Sequence, residues 1–499
     1  MTDLIALQEP KFNCRNATAM VQRIANVSVK GGVQDFVIQQ YGSVLTSLFV
    51  LIKAKWKEMD ARQISELVWS FARLGSAMLT LRAPPMDLKT VGETTIGNVD
   101  AGELFVELVE MSEDYCKDFT PTDVLILVRG IVDMPYPKGY GTAQRLIAGL
   151  KSIVTDFNSQ DVANLLWCLT KPELGSHDDL LVDVVKHAET LVREFTPQGV
   201  ANTAWALAKL QCQECETLLA VITTTVEDNL EGFKPQEVAN LAWAMARLMY
   251  LPRPKFLSRL ADLGADRLRL FNFQETCNLL FAFSVFAFQD PGFLAACRAK
   301  FLGAGSDVGL RDAMSAVASF AVLDCLDDDI MSWAIQRADD HGFENMNASQ
   351  RRQLYQGVLH MRLMQPDAQA VAQMPVEVDV TCRASWLDEE ERYEPTGTTA
   401  EVLQAAQRGD LGECCSQAAF GPESAFCGST LSTKDGTTFV LGTGDYLRFR
   451  NMPKMATGQM KWREKMLATS GLFVLRVDPN EWGAMNSEER KVAYLRRKL

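Results

Sequence analysis

The sequence of 499 residues has few of the residue groups that build a metal or catalytic site. Its 4 histidines are spread along the chain, and its 12 cysteines follow no zinc-binding spacing. The close pairs Cys212/Cys215 and Cys414/Cys415 have no second Cys or His pair beside them, whereas a structural zinc site needs four ligands. We therefore expect neither a metal nor another cofactor. Scattered cysteines in apolar positions are typical of a reduced, intracellular protein.

Long apolar runs and targeting patterns are also missing. The longest apolar run, residues 279–288, has ten residues, whereas a membrane span requires about 20. The first twenty residues have no secretory pattern, and Asp3 and Glu9 are unusual in a transit peptide. We expect no membrane partner, and no transit peptide is evident.

The chain has an excess of acidic residues, with a net charge of −13. The imbalance is uneven, because residues 445–499 contain 12 basic and 6 acidic residues, a balance of +6, which leaves −19 for the rest. An acidic protein does not attract phosphate through its overall field. Any contact with nucleic acid is therefore expected from local basic clusters, above all in the tail.

What the chain does contain is a repeat of 38 residues. Its best copies open at Phe157, Phe195, Phe233 and Phe271. Ten residues later a bulky anchor recurs at Trp167, Trp205, Trp243 and Phe281, and weaker copies place Trp69, Arg129, Ala318 and Gln356 there. A fixed period of this size indicates stacked supersecondary units. We count about eight of them.

Each unit is predicted to be a pair of helices. In the best copies the second helix starts with Thr196 as N-cap and Pro197 at the first helical position. This inner helix is apolar around most of its circumference, with Trp205 predicted as a buried anchor, whereas the outer helix has one apolar face. The pattern predicts a mostly α fold, an α-solenoid of helix pairs.

The repeat resembles the octotricopeptide repeat of organellar RNA-binding proteins. The matching motifs are Pro197-Gln198, Val200-Ala201-Asn202 and Trp205-Ala206, and again Pro235-Gln236, Val238-Ala239-Asn240 and Trp243-Ala244. The resemblance covers residues 59–370, with an insertion loop at 82–102 that lacks apolar periodicity. Residues 1–58 are predicted to form an N-terminal helical cap together with the first outer helix.

A different pattern follows the repeats. Residues 371–425 are acidic, with four acidic residues at 388–391, and predict a linker, with an acidic docking site as the alternative. Residues 426–499 contain short β-type runs, an amphipathic segment and a last helix that Ser487 would cap. They predict a small α/β domain.

This C-terminal part resembles the RAP domain of organellar RNA-processing proteins. The matching residues are Lys461, Leu467, Gly471, 474–477, Glu481-Trp482, Tyr494-Leu495 and Leu499. The resemblance implies an endonuclease-like fold. However, Gly442 stands where the family has an acidic residue, Asp445 is displaced from that place, and no carboxylate cluster follows. A metal-dependent phosphodiesterase needs such a cluster, so we expect no enzyme activity.

Two amides recur four residues apart in the inner helices, at Gln160/Asn164, Gln198/Asn202, Gln236/Asn240 and Gln274/Asn278. Such rows would either read RNA bases or bond to backbone and to each other between repeats. Their invariance favours the structural role, because base-reading positions should vary between repeats. Variable neighbours such as Gly199, Thr203, Glu237 and Leu241 are then the candidates for base contact.

The candidate RNA-binding residues lie in the basic tail, where Lys and Arg suit phosphate contact and Trp462 suits base stacking. They are Arg448, Arg450, Lys454, Lys461, Trp462, Arg463, Lys465, Arg496, Arg497 and Lys498. The alternative is that Trp462 is a core residue and that the charges lie on solvated helix faces, the last three beside the C-terminal end of a helix.

These observations and resemblances predict a non-catalytic organellar RNA-binding protein. The expected partners are RNA, as mitochondrial rRNA or mRNA, and proteins of a large ribonucleoprotein assembly such as the mitochondrial ribosome. Location in the mitochondrial matrix is implied by the resemblance alone. The alternative is a scaffold that docks proteins in an organellar assembly without contact between the repeats and RNA.

Overall fold

Helices make up most of the fold, as the 38-residue period predicts. The computed structural model describes residues 14–31, 34–75, 78, 81–83, 86–87, 95–96, 99–113, 115, 118–134, 137–304, 307–392, 397–421, 424–442 and 448–499. These residues contain 23 α-helices and a four-stranded C-terminal sheet. The chain divides into two units, Met1–Leu210 and Gln211–Leu499.

Unit 1 is helical. Its helices are α1 (Cys14–Gly31), α2 (Gln34–Lys55), α3 (Ala61–Leu74), α4 (Ala101–Met111), α5 (Pro121–Asp133), α6 (Tyr140–Gly149), α7 (Ser159–Leu169), α8 (Asp178–Leu191) and α9 (Pro197–Lys209). The anchor-bearing inner helices pack side by side in the order α3, α5, α7 and α9. A Cβ added at Gly130 of α5 would lie 2.8 Å from the backbone nitrogen of Trp69. Glycine is needed there because the backbones of α3 and α5 approach closely.

Unit 2 continues the helix pairs and then adds a mixed module. Its helices are α10 (Glu216–Val226), α11 (Pro235–Arg247), α12 (Pro254–Arg267), α13 (Phe273–Phe286), α14 (Pro291–Leu302), α15 (Leu310–Val322), α16 (Asp328–His341), α17 (Ala348–Met364), α18 (Gln369–Ala372), α19 (Val376–Glu390), α20 (Gly397–Arg408), α21 (Gly458–Ala468), α22 (Pro479–Gly483) and α23 (Glu488–Lys498). Inner helices α11, α13, α15 and α17 pack in sequence, and outer helices α12, α14 and α16 pack alongside.

Helix starts agree with the sequence signals. Thr196 caps α9, since its hydroxyl oxygen accepts a hydrogen bond from the Gly199 amide at 3.1 Å, and Pro197 is the first helical residue. Ser487 caps α23 in the same way through the Arg490 amide. Both predicted caps are confirmed.

Three inner helices of unit 2, α11, α13 and α15, are followed within two residues by a residue in the left-handed conformation. Met249, Ala287 and Asp324 have φ of 53°, 52° and 57°. None of them is glycine, and this conformation costs an ordinary residue roughly 1–2 kcal/mol. The three residues lie 38 and 37 positions apart, so the chain turns from an inner helix to the next outer helix at equivalent places in three repeats.

Two parts of unit 1 differ from the sequence expectation. The predicted insertion loop contains short antiparallel ladders, β1 (Arg82–Ala83) with β4 (Val99–Asp100) and β2 (Met86–Asp87) with β3 (Thr95–Ile96). One helix in the described part of the chain, Phe36–Glu58, is long and apolar enough to cross a membrane, although half of its most apolar window is buried. Interspersed Gln, Ser and Thr keep its uninterrupted apolar runs short. A search for long apolar runs in the sequence therefore does not find this helix.

The C-terminal sheet has the order β5 (Gly412–Phe420), β6 (Phe426–Thr433), β7 (Thr438–Gly442) and β8 (Phe473–Arg476). β5, β6 and β7 are antiparallel, with Leu431 opposite Phe439, and β8 joins β7 in parallel, with Leu441 opposite Leu475. One face of the sheet packs on α20, α22 and α23. The core of this packing includes Val402, Leu431, Leu475, Val477, Trp482, Tyr494 and Leu495.

The segment 371–425, predicted as an acidic linker, is largely regular structure. It contains α18, α19, α20 and β5. α19 buries Cys382 and Trp386, and α20 buries Val402, Ala405 and Ala406. These apolar residues, which are interleaved with the acidic ones, supply enough burial for two helices. We call residues 397–499 the C-terminal module.

Candidate nucleic-acid interface

The inner helices of unit 1 leave one row of side chains uncovered. The row takes four positions in each repeat, at −7, −3, 0 and +4 relative to the anchor, which lie on one face of a helix; Lys171 follows the end of α7. We call these sixteen residues the unit 1 stripe: Arg62, Glu66, Trp69 and Arg73; Thr122, Ile126, Arg129 and Asp133; Gln160, Asn164, Trp167 and Lys171; Gln198, Asn202, Trp205 and Lys209. All of them are exposed or half-buried.

The anchors were predicted to be buried, and this prediction is wrong for the tryptophans. Trp69, Trp167 and Trp205 are half-buried, whereas the core of α9 consists of smaller residues such as Val200, Ala204 and Leu207. In α9 these smaller side chains make the buried contacts with the neighbouring elements, and the large ring of Trp205 lies on the open face.

Basic side chains stack on these rings. The Arg73 guanidinium carbon lies 4.5 Å from the centroid of Trp69, and the Lys209 Nζ lies 5.5 Å from that of Trp205. Trp167 has two cations, Arg129 at 4.4 Å and Lys171 at 4.2 Å. These distances are within the range of cation–π attraction. Each tryptophan therefore carries a positive charge beside its ring.

The stripe is locally basic although the chain is acidic. It holds five basic residues, including Arg62, and two acidic ones, Glu66 and Asp133. Asp133 pairs with Lys171 at 3.0 Å and with Arg129 at 3.8 Å. Burial and the neighbouring positive charge of Arg129 lower the pKa of Arg73. An anion near these two arginines would relieve their mutual repulsion.

The recurrent amides do not make the structural bonds that the sequence favoured. Gln160 and Gln198 are exposed and Asn164 and Asn202 half-buried, and their side chains form no hydrogen bond with any described residue. Each amide keeps a free donor and a free acceptor. The structure thus leaves these rows available to a ligand.

In unit 2 the residue types at the same four positions change from one repeat to the next. Helix α11 repeats the pattern with Gln236, Asn240, Trp243 and Arg247, all exposed or half-buried. Downstream, the anchor becomes Phe281, Ala318 and Gln356. The copies with Ala318 and Gln356 are the weaker ones of the sequence analysis, and in the structure the C-terminal module packs against this part of the array.

Helix α21 of the module lies on α13 and α15. A Cβ added at Gly458, its first residue, would lie 1.8 Å from the carbonyl oxygen of Ser284. Ahead of α21, the Arg450 amide donates to the Met249 carbonyl at 2.8 Å, and Asn451 exchanges two hydrogen bonds of 2.9 Å with the backbone of Leu251. The module is thus bonded to the turn after α11 as well.

Exchanging Gly458 for alanine should destabilise unit 2. The new methyl group would meet backbone that cannot rotate away, and overpacking of this kind costs about 1–3 kcal/mol. Chemical denaturation measures the loss. The matched control is Gly149→Ala in α6, where an added Cβ meets nothing within 4 Å, so that stability should stay equal or rise. Equal stability of Gly458→Ala and the wild type would show that α21 does not sit this close.

Trp462 of α21 is buried, with 3% of its surface exposed. Its Nε1 donates to Nδ1 of His360 at 3.3 Å, and its ring packs edge-on to Trp386 and Phe426 at 6.1 and 6.2 Å. The alternative interpretation of this residue, as part of the core, matches its position. Its ring is not available to stack on a base in this structure.

Two predicted phosphate ligands beside it hold the module in place. Arg463 forms a two-bond ion pair with Glu390 at 2.7 and 2.9 Å and donates to the Cys427 carbonyl at 3.0 Å. Lys465 pairs with Asp324 at 2.5 Å. Glu390 belongs to the acidic run that was expected to be solvated. One of its members is therefore an internal docking residue.

The other predicted residues fall into three groups. Arg450 donates to the Cys212 carbonyl at 3.0 Å, and Arg496 donates to that of Gly409 at 3.2 Å. Lys461 and Arg497 are exposed. Arg448, Lys454 and Lys498 line one cavity together with Arg476, Asp478 and Glu481, and Arg448 pairs with Asp478 at 3.4 Å. Only this last group comes together, and it includes acidic neighbours.

The residues described by the structure contain no group of three or more His, Cys, Asp or Glu side chains arranged to hold a metal ion. Asp445, the displaced carboxylate of the sequence analysis, lies outside the described residues. The absence of enzyme activity therefore stays a prediction.

Sequence reasoning missed the stripe. A signal was present, because a Lys or Arg follows each of Trp69, Trp167, Trp205 and Trp243 by four residues and an amide or charged residue precedes it by three. These spacings put amide, ring and cation on one helix face. The assumption that a large aromatic residue in an apolar helix is buried concealed this face.

The fold and this face define a class, that of mostly helical proteins with 38-residue sequence repeats, a small C-terminal sheet and an uncovered face of aromatic, amide and basic side chains. Residues 139–304 match the family described as "Tbc2 translation factor, N-terminal domain". The match covers α6 to α14, about one third of the chain, and includes Trp167, Trp205 and Trp243. No curated protein shows significant sequence similarity to the chain. The octotricopeptide and RAP resemblances stay predictions.

Proposed function

We propose that the protein is a non-catalytic RNA-binding factor of organellar translation, whose helix pairs stack as a solenoid within each unit. The observation that carries this proposal is the recurrence of a half-exposed tryptophan with a cation on its ring and a free amide beside it. Proteins bind single-stranded RNA by stacking bases on aromatic rings and guanidinium planes and by hydrogen bonds to base edges. The similarity of residues 139–304 to a translation-factor domain supports the same function.

The stripe supplies each part of such a contact. Trp167 and Trp205 offer ring surface, and Asn164 and Asn202 offer paired donors and acceptors one helical turn before them. Arg129, Lys171 and Lys209 bring positive charge within reach of the phosphates that flank a stacked base. We therefore move the principal RNA contact from the tail to the stripe, and retain Lys461, Arg497 and the cavity of Arg448, Lys454 and Lys498 as secondary contacts.

Trp205→Ala should weaken the binding of a 12-nucleotide single-stranded RNA about 5- to 150-fold, because one stacked base contributes about 1–3 kcal/mol. Fluorescence anisotropy at fixed salt measures the dissociation constant. The control is Trp56→Ala, which removes another half-buried tryptophan with a cation, Lys53 at 4.3 Å, away from the stripe. Equal affinities of the two variants would contradict the proposal, provided that both remain folded.

The cellular part of the proposal is a role with mitochondrial rRNA or mRNA in the matrix, at or near the ribosome. Organelle fractionation followed by cross-linking and sequencing of bound RNA tests it. Co-sedimentation of the protein with one ribosomal subunit, sensitive to RNase, is the expected result. Sedimentation free of RNA and ribosomes would remove the ribosomal role.

The second candidate function is a protein-docking scaffold. It is favoured by two exposed valines one turn apart on α19, Val376 and Val380, with exposures of 72% and 60%, together with the net charge of −13. Cross-linking of the assembled protein separates the two functions. Repeats cross-linked to proteins alone would favour the scaffold.

A further inference from the structure

A cavity of about 270 Å³ lies where the C-terminal module meets the inner helices of unit 2. It is an open pocket lined by α13, α15 and α17 and by residues at the start of α21. Its lining residues are Met249, Phe281, Ser284, Val285, Ser315, Ala318, Ser319, Val322, Gln353, Gln356, Thr457 and Gln459. Three of them, Phe281, Ala318 and Gln356, hold the anchor position of their repeats.

The surface that the lining residues expose to the cavity is mostly apolar, and it includes one aromatic ring. Phe281 is half-buried and takes the place that Trp243 takes on the neighbouring helix α11. Ala318 replaces the large anchor one repeat later, and its small side chain opens the space beside the phenyl ring. Pockets for drug-sized ligands have volumes of about 300–1,000 Å³, so this cavity suits a single planar ring system.

Three amide side chains of the lining come from α17 and α21. Gln356 donates from Nε2 to Oε1 of Gln459 at 3.1 Å, and Gln356 is 7% exposed. This bond leaves the other half of each amide, one acceptor and one donor, without a bond to any described residue. Gln353 adds a third amide on the same side. Adjacent donors and acceptors of this kind match the edge of a nucleobase.

We propose that this cavity binds one nucleobase of single-stranded RNA, stacked on Phe281 and hydrogen-bonded by Gln353, Gln356 and Gln459. The proposal rests on the proposed function and adds a site to it that only the docked module completes. Phe281 on α13 follows Trp243 on α11 as the next anchor position along the array. The two anchor positions after it, Ala318 and Gln356, line the cavity together with Thr457 and Gln459 of the module. The cavity is therefore the last place towards the C-terminus where we expect the repeats to stack a base.

The test reduces the volume of the cavity by enlarging one of its lining side chains. Ala318→Leu places a larger side chain in the space beside Phe281, and the full-length protein is titrated with a 12-nucleotide single-stranded RNA. Loss of one stacked base predicts an affinity about 5- to 150-fold weaker. The control is Ala220→Leu on outer helix α10, an exposed position, which should bind as the wild type does.

A series of the same RNA with one abasic nucleotide moved along the strand gives a second readout. One abasic position should weaken wild-type binding and leave Ala318→Leu unaffected, because that variant has already lost the contact. Should Ala318→Leu fail to fold, Gln353→Ala decides in its place, with the same abasic position losing part of its effect.

The outcomes separate this inference from the proposed function. RNA binding that Trp205→Ala weakens while Ala318→Leu and Gln353→Ala leave it unchanged overturns the cavity site alone. A wild-type protein that binds none of the RNA probes overturns both proposals. Weakened binding in Ala318→Leu, with an intact control, supports the site.

Discussion

Replacing Trp462 with alanine is expected to lower the free energy of unfolding by about 3–5 kcal/mol, the usual effect of deleting a buried tryptophan. The side chain is 3% exposed and packs between Trp386 and Phe426. Its removal leaves a void between the module and the repeats, and it also leaves Nδ1 of His360 without its hydrogen-bond donor. Denaturant unfolding followed by circular dichroism measures the loss.

Two variants calibrate this result. Trp462→Phe retains much of the packing and loses the hydrogen bond, so its effect should be about 1–3 kcal/mol, the value for one unsatisfied buried group. Trp56→Ala removes a half-buried ring outside the module and should have the smallest effect. The buried placement of Trp462 would be wrong if Trp462→Ala were no more destabilising than Trp56→Ala.

Stability should also fall as the pH is lowered through the range set by His360. This imidazole is 1% exposed, and burial lowers its pKa from 6.5 to about 4, with Lys465 acting in the same direction and Asp324 opposing them. The unfolded chain takes up the proton near pH 6.5, and the folded one only near pH 4. The stabilisation is therefore complete above pH 6.5 and is lost as the pH falls towards 4, by about 3 kcal/mol.

His360→Gln is the matched variant, because its amide oxygen can still accept the bond from Trp462 and has no proton to take up in this range. The difference in unfolding free energy between wild type and variant, measured at several pH values, removes the contribution of the many carboxylates that titrate near pH 4. The difference should shrink as the pH falls from 7 to 4. A constant difference would show that the pKa of His360 is the same in the folded and the unfolded chain, as it is for an exposed imidazole.

The sequence predicted the helix pairs because their signals are local. The 38-residue period, the Thr196 and Ser487 caps and the apolar face of the outer helices each depend on residues within a few turns. The structure has helices α8, α9 and α23 where these local signals predict them.

The placement of side chains on the inner helices depended on packing that is not local. Trp205 and Leu207 are both apolar residues of the same helix, and only the approach of neighbouring helices decides that the smaller one is buried. The same applies to Gln198 and Asn202, whose hydrogen-bonding state follows from what lies opposite them. Composition and spacing alone could not choose between the two interpretations.

In the basic tail, the sequence suggests available charges where the structure shows ion pairs. Arg463 and Lys465 form an apparent phosphate-binding cluster in sequence, but Glu390 and Asp324, their partners, are 73 and 141 residues away along the chain. Both side chains are paired with carboxylates inside the fold, so neither is the unpaired cation that the sequence suggests. Contacts between residues so far apart in sequence have no counterpart in local patterning.

The docking of the C-terminal module has a mechanical consequence. A stacked array of helix pairs bends like a spring, with each small rotation between repeats adding to the next. In unit 2, hydrogen bonds from the module reach the turn at Met249 and helix α17 at His360, and Gly458 packs closely against the end of α13 at Ser284. These contacts resist rotation of the repeats between α11 and α17 relative to each other, because such a rotation would break them. We therefore expect this part of unit 2 to bend less than an array without a docked module.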